Sequence, residues 1–251
     1  MKPNFTVSDL ELQIELGNVK YQVHASAPYT IYNYTDKVHL DRLWGPVTTQ
    51  TRGLILDDEY NVIARPFEKF WNYTDKVPDD VVFGKPGIVT DKLDGAMGII
   101  YPMPNGTHRV ATRGSFYSQQ AKWATKWLED RAMAVPPGLT PIVEIICHHN
   151  NNIVDYGSYE DVVLLAVLDN ETGADIPMWE VDWWSGNKVK QFYHLSQIDD
   201  AYHYANEYLY DHLEGLVVQW PRYKKPSFRL KVKNANYVKI AKEIVETRYE
   251  R

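Results

Sequence analysis

Short stretches of apolar residues recur along this chain, and only a few segments show helical spacing. Runs bounded by Gly, Pro, Asn or Asp predict β-strands. The predicted strands are residues 53–56, 61–64, 81–83, 88–92, 97–101, 107–112, 142–147, 162–168, 215–220 and 228–233. The recurrence of Trp123, Ala124 and Trp127 predicts a helix near 118–130, and a terminal helix is predicted at 234–249. Residues 8–17 fit either a helix or an edge strand, and the acidic, aromatic stretch 175–212 has a mostly helical pattern.

These elements do not alternate regularly between strand and helix, which favours an α+β fold with antiparallel sheets flanked by helices. The length of 251 residues suits one large domain or two small ones. We expect a single domain over 1–251, with residues 1–80 as an N-terminal subdomain and 234–251 as a terminal helix.

Composition narrows the class of protein. The apolar fraction of 44% and the charged fraction of 24% are typical of a packed globular protein. The single cysteine, Cys147, excludes an internal disulfide and suits a reducing compartment. No apolar run reaches membrane-spanning length, and the N-terminus lacks a secretion signal. We therefore expect a cytoplasmic protein without a membrane partner, located in a host cell if the chain is viral.

Charge is unevenly distributed along the chain. The net charge is −6, but residues 221–251 hold ten Lys or Arg and only three Glu. A basic end on an acidic body can bind phosphates locally, and a solvated basic helix would give the same count.

The strand at 229–233 carries cations at alternate positions. Alternation places Arg229, Lys231 and Lys233 on one face, and Leu230 and Val232 on the other. If the apolar face packs inward and the cationic face lines a cleft, the strand forms a phosphate-binding row. An exposed strand with a basic outer face is the alternative.

Two acidic residues stand in unusual positions. Glu144 interrupts the apolar strand 142–146, and a buried glutamate needs either a partner or a function. Glu214 precedes Gly215 at the start of another strand, a place that suits an acid facing a metal. A structural salt bridge for Glu144 and an ordinary turn at Glu214 are the alternatives.

A lysine stands in a short motif between two apolar runs. Lys92-Leu93-Asp94-Gly95 lies between 87–90 and 98–101, and Asp94-Gly95 predicts a tight turn of a β-hairpin. Lysine can act as a covalent nucleophile. Three further segments place basic residues beside glycine or aromatic residues, namely Thr51-Arg52-Gly53, the block from Arg65 to Tyr73, and Thr112-Arg113-Gly114.

Taken in this order, the segments resemble the covalent nucleotidyltransferase superfamily, and most closely the phage-type RNA ligase 1 family. The resemblance spans about residues 51–238. Its motifs are Lys92 to Gly95, Thr112 to Gly114, the strand with Glu144 continuing to 152–156, the apolar strand 163–168, Glu214-Gly215 and Lys231-Val232-Lys233. Thr51 to Gly53 and the 65–73 block resemble features of RNA ligase 1 relatives in particular.

The resemblance implies an ATP-dependent RNA ligase with an adenylation domain that is related to the ATP-grasp type and lacks an oligonucleotide-binding barrel. It implies that Lys92 forms a covalent lysyl-AMP and that Lys231 and Lys233 are catalytic with it. The implied nucleotide-binding residues are Arg52, Lys69, Asp94, Gly95, Arg113, Glu144, Val167, Glu214 and Val217. Glu144 and Glu214 would hold Mg²⁺ or Mn²⁺. The implied partner is RNA with 5′-phosphate and 3′-hydroxyl ends, with single-stranded RNA and tRNA both open, and a monomer is expected.

Two features of this chain differ from the usual pattern of DNA ligases and capping enzymes, and so distinguish between the related families. DNA ligases usually have Arg two residues after the motif glycine, where this chain has Met97. DNA ligases and capping enzymes also carry a barrel after the second lysine of the last motif, whereas 18 residues follow Lys233 here. A DNA ligase, an mRNA guanylyltransferase-like enzyme and an inactive nucleic-acid-binding relative remain the alternatives. A metal hydrolase built on Cys147-His148-His149 is disfavoured, because adjacent strand residues point to opposite faces.

Overall fold

The computed structural model describes residues 2–75, 85–207 and 214–249. The described helices are α1 (Val7–Glu15), α2 (Asp36–Leu40), α3 (Pro46–Gln50), α4 (Gln119–Glu129), α5 (Ile198–Glu207) and α6 (Ala235–Tyr249). The described strands are β1 (Val19–Val23), β2 (Tyr29–Tyr34), β3 (Arg52–Asp57), β4 (Val62–Ala64), β5 (Trp71–Asn72), β6 (Ile88–Lys92), β7 (Ala96–Pro102), β8 (His108–Thr112), β9 (Leu139–Ile146), β10 (Asp161–Asp169), β11 (Gly215–Arg222) and β12 (Lys225–Lys233). The strand predicted at 81–83 lies outside the described residues.

The strands form three sheets of mixed α+β architecture. Their strand orders are β1-β2-β3-β4, β10-β9-β7-β8 and β5-β12-β11-β6, and we call them the first, second and third sheet. Neighbouring strands are antiparallel except β5, which pairs parallel with β12. The predicted fold class is therefore confirmed, and each described sheet is open, with two edge strands.

Helices α1 and α3 pack against the first sheet. A capping box starts α1, because Thr6 accepts from the Asp9 amide and Asp9 accepts from the Thr6 amide. Leu10 of this helix is fully buried against the sheet. This cap resolves the ambiguity of residues 8–17 in favour of a helix. The predicted hairpin of β3 and β4 is confirmed, with Asp57 accepting from the Glu59 and Asn61 amides in its turn.

The second sheet has both faces buried. Ile99 and Tyr101 point towards the first sheet, whereas Ile100 points towards α4. Ser118 caps α4 by accepting from the Ala121 amide, and Trp127 of this helix packs in the core. The helix predicted near 118–130 is thus confirmed.

The third sheet separates an apolar face from a charged face. Val89, Leu230 and Val232 are buried together with α5. The alternate positions of β12, including Lys231 and Lys233, point to the opposite side, as the sequence alternation predicted.

Two predictions of local structure are wrong. Strands β6 and β7, expected to form a hairpin around Asp94-Gly95, lie in different sheets, because β6 pairs with β11 and β7 pairs with β8 and β9. The stretch 175–212 was expected to be mostly helical, but its first part, 175–197, contains the 3-10 turn Met178–Glu180, isolated β-bridges at Asp175, Lys188 and Gln191, and otherwise irregular backbone. Helix α5 begins only at Ile198, and residues 208–213 lie outside the described part.

Candidate active site

Strand register in the third sheet brings two lysines to one glutamate. Gly215, the first residue of β11, pairs with Lys92 on one side and Lys233 on the other. Glu214 therefore stands between two neighbouring strand ends. Its carboxylate forms ion pairs with the Lys92 ammonium and, at 2.7 Å, with the Lys233 ammonium.

Glu214 is ionised at neutral pH although it is only 5% exposed. Burial by itself would raise the pKa of this carboxyl, but the ammonium groups of Lys92 and Lys233 outweigh burial and hold the pKa below its usual value. The carboxylate thus fixes both lysine side chains at the same end of the sheet.

Gly215 allows the close strand approach that this arrangement needs. Its φ of +146° lies in a region that L side chains rarely adopt, and a Cβ there would lie 2.1 Å from the Val232 carbonyl oxygen. The glycine of the Glu214-Gly215 pair is therefore required by backbone geometry.

Lys231 is the third cation of this face. Burial, followed by the charges of the nearby Lys69, Arg52, Lys92 and Lys233, lowers the pKa of Lys231 to about 6. Its ammonium nitrogen lies 5.0 Å from the centroid of the Phe70 ring. A phosphate group placed here would favour the charged form of Lys231.

The cationic face opens onto a cleft of about 500 Å³ between the three sheets. The charged or polar lining includes Arg52, Lys92, Arg113, Glu144, Glu214 and Lys231. The apolar lining includes Phe67, Phe70, Leu165, Val189 and Val217. A charged end beside apolar walls suits a ligand with a phosphate group and a flat ring.

Glu144 is the acidic group of the second sheet in this cleft. Burial, opposed in part by Lys92 and reinforced by the negative charge of Glu214, raises the pKa of Glu144 to about 8. Gly95 lies close to this side chain, because a Cβ on Gly95 would be 3.0 Å from Glu144 Cγ and 2.5 Å from the Ile145 carbonyl oxygen. The structure thus brings Glu144 and Gly95 together with the lysines.

The upstream cations are held by aromatic rings. Lys69 Nζ lies 5.0 Å from the Trp44 ring centroid and 4.7 Å from that of Trp71. Lys69 borders the cleft rather than lining it, and burial, followed by the charge of Arg52, lowers its pKa. Sequence analysis missed Trp44, since no pattern links it to the 65–73 block.

The two arginines reach the cleft wall itself. Arg52 Nη1 contacts Met97 Sδ at 3.1 Å, so the residue that replaces the usual arginine of DNA ligases touches an upstream arginine. Arg113 Nη1 donates to the Tyr34 hydroxyl at 3.2 Å. Tyr34 was also missed, because it lies in strand β2, which the sequence pattern did not predict.

Asp94 has a different position from the one expected. One of its carboxylate oxygens accepts from the Ile153 and Val154 amides at 2.6 and 2.9 Å, and the other accepts from the Tyr237 hydroxyl at 3.0 Å. The Asp94 amide donates to the Tyr156 hydroxyl. Asp94 therefore ties the lysine segment to neighbouring segments and is not turned towards the cleft as a ligand contact.

Val167 also differs from the expectation. It is fully buried in the core beneath α4, whereas Leu165 of the same strand lines the cleft. An irregularity between Leu164 and Ala166 shifts the register of β10 and turns Leu165 outward. Val217, predicted from the same resemblance, does line the cleft.

Arg229 also lines the cleft, but its charge is already paired within the protein. It is 6% exposed, forms an ion pair with Asp175 and lies 4.3 Å from the Phe67 ring centroid. Lys231 lines the cleft next to it, whereas Lys233 lines the neighbouring cavity and is ion-paired with Glu214.

A preformed metal cluster is absent from the described ranges, where no group of three or more His, Cys, Asp or Glu is placed to hold an ion. Glu144 and Glu214 are two carboxylates near the lysines, and Mg²⁺ is usually held by one or two carboxylates together with substrate phosphates. Elsewhere, no helix in the described part of the chain is both long and apolar enough to cross a bilayer.

Comparison with known families gives one match that covers most of the chain. A family model described as RNA ligase matches residues 50–237. A comparison with curated proteins finds no match.

Solved structures with a similar fold include ligases. An archaeal ATP-dependent RNA ligase in two forms has TM-scores of 0.63 and 0.61 at 17% identity, over 94% and 91% of this chain. A putative ATP-dependent DNA ligase from Aquifex aeolicus has a TM-score of 0.58 at 11% identity, over 90% of this chain. The match covers 63% and 62% of the two archaeal chains and 62% of the Aquifex chain. At these identities the likeness concerns the fold.

Proposed function

Because the chain belongs to the RNA ligase family, we propose that it is an ATP-dependent RNA ligase that works through a lysyl-AMP on Lys92. The observation that carries the proposal is that Lys92 and Lys233 are both ion-paired with the buried carboxylate of Glu214, and that Lys231 lies close enough to feel the charges of both lysines. Such a cluster concentrates positive charge where a triphosphate would react.

In the first step, the Lys92 amine, after losing a proton, attacks the α-phosphorus of ATP. The bond from that phosphorus to the bridging oxygen breaks, and pyrophosphate leaves. Glu214 orients the Lys92 side chain, since the two groups are ion-paired. Lys231 and Lys233 stabilise the negative charge that grows on the phosphate oxygens.

Arg52, Lys69 and Arg113 would hold the outer phosphates and the sugar. Arg52 and Lys69 belong to the first sheet and the segment after it, and Arg113, which follows β8 of the second sheet, contacts Tyr34 of the first sheet. The aromatic rings of Trp44 and Trp71 keep the Lys69 side chain in place, so that pyrophosphate is oriented as a leaving group.

Glu144 and Glu214 would hold a divalent cation, Mg²⁺ or Mn²⁺, together with the phosphates. The pKa of Glu144, raised to about 8, supports this role, because a nearby cation would restore the ionised form that burial disfavours. When bound, such an ion neutralises charge on the phosphates.

The remaining two steps consume RNA. An oxygen of an RNA 5′-phosphate attacks the phosphorus of lysyl-AMP and releases the Lys92 amine. A 3′-hydroxyl then attacks the 5′-phosphate of the activated end, forms the phosphodiester and releases AMP.

The test is transfer of label from α-labelled ATP to the protein in the presence of Mg²⁺ and without RNA. We expect label on the wild type, none on Lys92→Ala, and discharge of the label by 5′-phosphate RNA but not by 5′-hydroxyl RNA. Label from GTP alone would favour a capping-type reaction, and discharge only by nicked DNA would favour a DNA ligase. Folded protein that takes no label from either nucleotide would contradict the proposal.

A further inference from the structure

A chain of buried hydrogen bonds ends at the apolar part of the cleft. Arg229 donates to one oxygen of Asp175, and the Ser227 hydroxyl donates to the other. Gln219 Nε2 donates to Ser227 Oγ at 3.1 Å. Asp175, Ser227 and Arg229 are each less than 10% exposed, and Gln219 lines the cleft. We call these four residues the Gln219 relay.

The relay fixes the orientation of the Gln219 amide. A guanidinium can only donate, so the Asp175 oxygen that contacts Arg229 accepts, and the other oxygen accepts from the Ser227 hydroxyl. The Ser227 hydroxyl must then donate its proton to Asp175, which leaves its lone pairs to accept. Its other partner must therefore be the amide nitrogen of Gln219, and the amide oxygen is left as an acceptor. Within the described residues, Gln219 Oε1 accepts no hydrogen bond.

Gln219 stands where a base would lie if Lys92 holds the α-phosphate. It is opposite Ile88 on β6, four residues from Lys92, which corresponds to about 13 Å along the strand. Leu165, Val189 and Val217 line the cleft around this position. Their apolar side chains suit the two faces of a flat base.

We propose that the Gln219 relay selects adenine over guanine by presenting a fixed acceptor, Gln219 Oε1, to the group at C6 of the base. Adenine carries an amine there, which donates, whereas guanine carries a carbonyl oxygen, which only accepts. A carbonyl facing Oε1 would place two acceptors together in a partly buried site. This inference rests on the proposed adenylylation of Lys92 and concerns which nucleotide that reaction uses.

The experiment measures the rate of label transfer to the full-length protein from three α-labelled triphosphates. These are ATP, purine riboside triphosphate, which lacks the C6 amine, and inosine triphosphate, which has a carbonyl at C6. We expect the wild type to prefer ATP about 3- to 10-fold over the purine analogue, the range of one lost hydrogen bond, and at least about 10-fold over the inosine nucleotide.

Variants of the relay change these ratios in defined directions. In Gln219→Leu, ATP and the purine analogue should react at rates within about 2-fold of each other. In Ser227→Ala, the Gln219 amide can turn and offer its nitrogen, so the ratio of ATP to the inosine nucleotide should fall about 5-fold or more. In Asp175→Asn, the hydrogen bonds that lead from residue 175 through Ser227 to Gln219 reverse their direction. The ratio of ATP to the inosine nucleotide should therefore fall in this variant too. If Asp175→Asn fails to fold because Arg229 loses its charged partner, Ser227→Ala carries the same test.

Gln191→Leu is the matched control, because Gln191 lines only the adjoining groove and not this cleft. Its ratios should equal those of the wild type. Unchanged ratios in both Gln219→Leu and Ser227→Ala would overturn the inference while leaving the proposed function intact. Wild-type protein that takes no label from any of the three triphosphates would overturn the proposed function and this inference with it.

Discussion

At the scale of single residues, the alternating pattern of the last strand predicts its geometry well. The positions of Lys231 and Lys233 on the face opposite Leu230 and Val232 follow from the two-residue period of a strand. The family resemblance implied Val167 as a cleft residue, but a bulge that no local pattern reveals places Leu165 there instead. The strand period also does not reveal that Arg229 is paired with Asp175, because that partner lies more than 50 residues away in the chain.

Lys231 should bind a proton when a triphosphate binds. The pKa of Lys231 is lowered to about 6, so its amine is mostly neutral at pH 7.5 in the free protein. Phosphates next to the amine favour the charged form and raise the pKa. Calorimetry of ATP binding in buffers of different ionisation enthalpy, with a chelator present, should report an uptake approaching about one proton per nucleotide.

The uptake should disappear in Lys231→Met and decrease towards pH 5, where Lys231 is already charged in the free protein. Lys239→Met is the control, since Lys239 is exposed on α6. Equal proton uptake by the wild type and Lys231→Met would show that another group titrates.

At the scale of elements, the local pattern of the lysine motif did not predict how its two flanking strands pair. Asp94-Gly95 has the composition of a hairpin turn, yet the strands on either side join different sheets. Strand partners are chosen by distant contacts that a local pattern does not contain. Asp94 stabilises the connection between β6 and β7. Its carboxylate accepts from two backbone amides of the 153–154 segment and from the Tyr237 hydroxyl of α6.

Removing the Asp94 carboxylate should loosen the segment that carries Lys92. We expect Asp94→Ala to lower the free energy of unfolding by about 2 kcal/mol or more, because three donors lose a charged acceptor. Tyr237→Phe removes one of these donors and should cost about 1 kcal/mol. Urea unfolding measures both values, and Asp58→Ala, at an exposed position, is the control. A loss for Asp94→Ala no larger than the control would contradict this role.

The strand approach at Gly215 can be tested in the same way. Gly215→Ala should destabilise the protein by about 3 kcal/mol or more, since φ is +146° and the new Cβ would meet the Val232 carbonyl oxygen at 2.1 Å. Gly138→Ala has a positive φ of +79° and nothing within 4 Å of its Cβ. It should therefore cost only about 1 kcal/mol. Similar unfolding midpoints for the two variants would contradict the argument from close packing.

At the scale of the whole molecule, the lack of regular strand and helix alternation was enough to predict α+β architecture. The three-sheet arrangement was not predictable, because strands β1 and β2 have weak periodic signals and the irregular segment 175–197 resembles a helix in composition. The division into a 1–80 subdomain and a terminal helical segment stays a prediction. The cleft draws residues from all three sheets, so the site depends on the complete arrangement rather than on one motif.

Of the three lysines at this site, we propose that only Lys92 forms the bond to AMP. The most direct measurement is to incubate the protein with ATP and Mg²⁺, digest it, and locate the adenylyl group by tandem mass spectrometry. We expect the modification on Lys92 in the wild type and none on Lys231 or Lys233, even in Lys92→Arg. An adenylyl group on Lys231 or Lys233 of the wild type, or an unmodified Lys92 in a preparation that joins RNA, would contradict it.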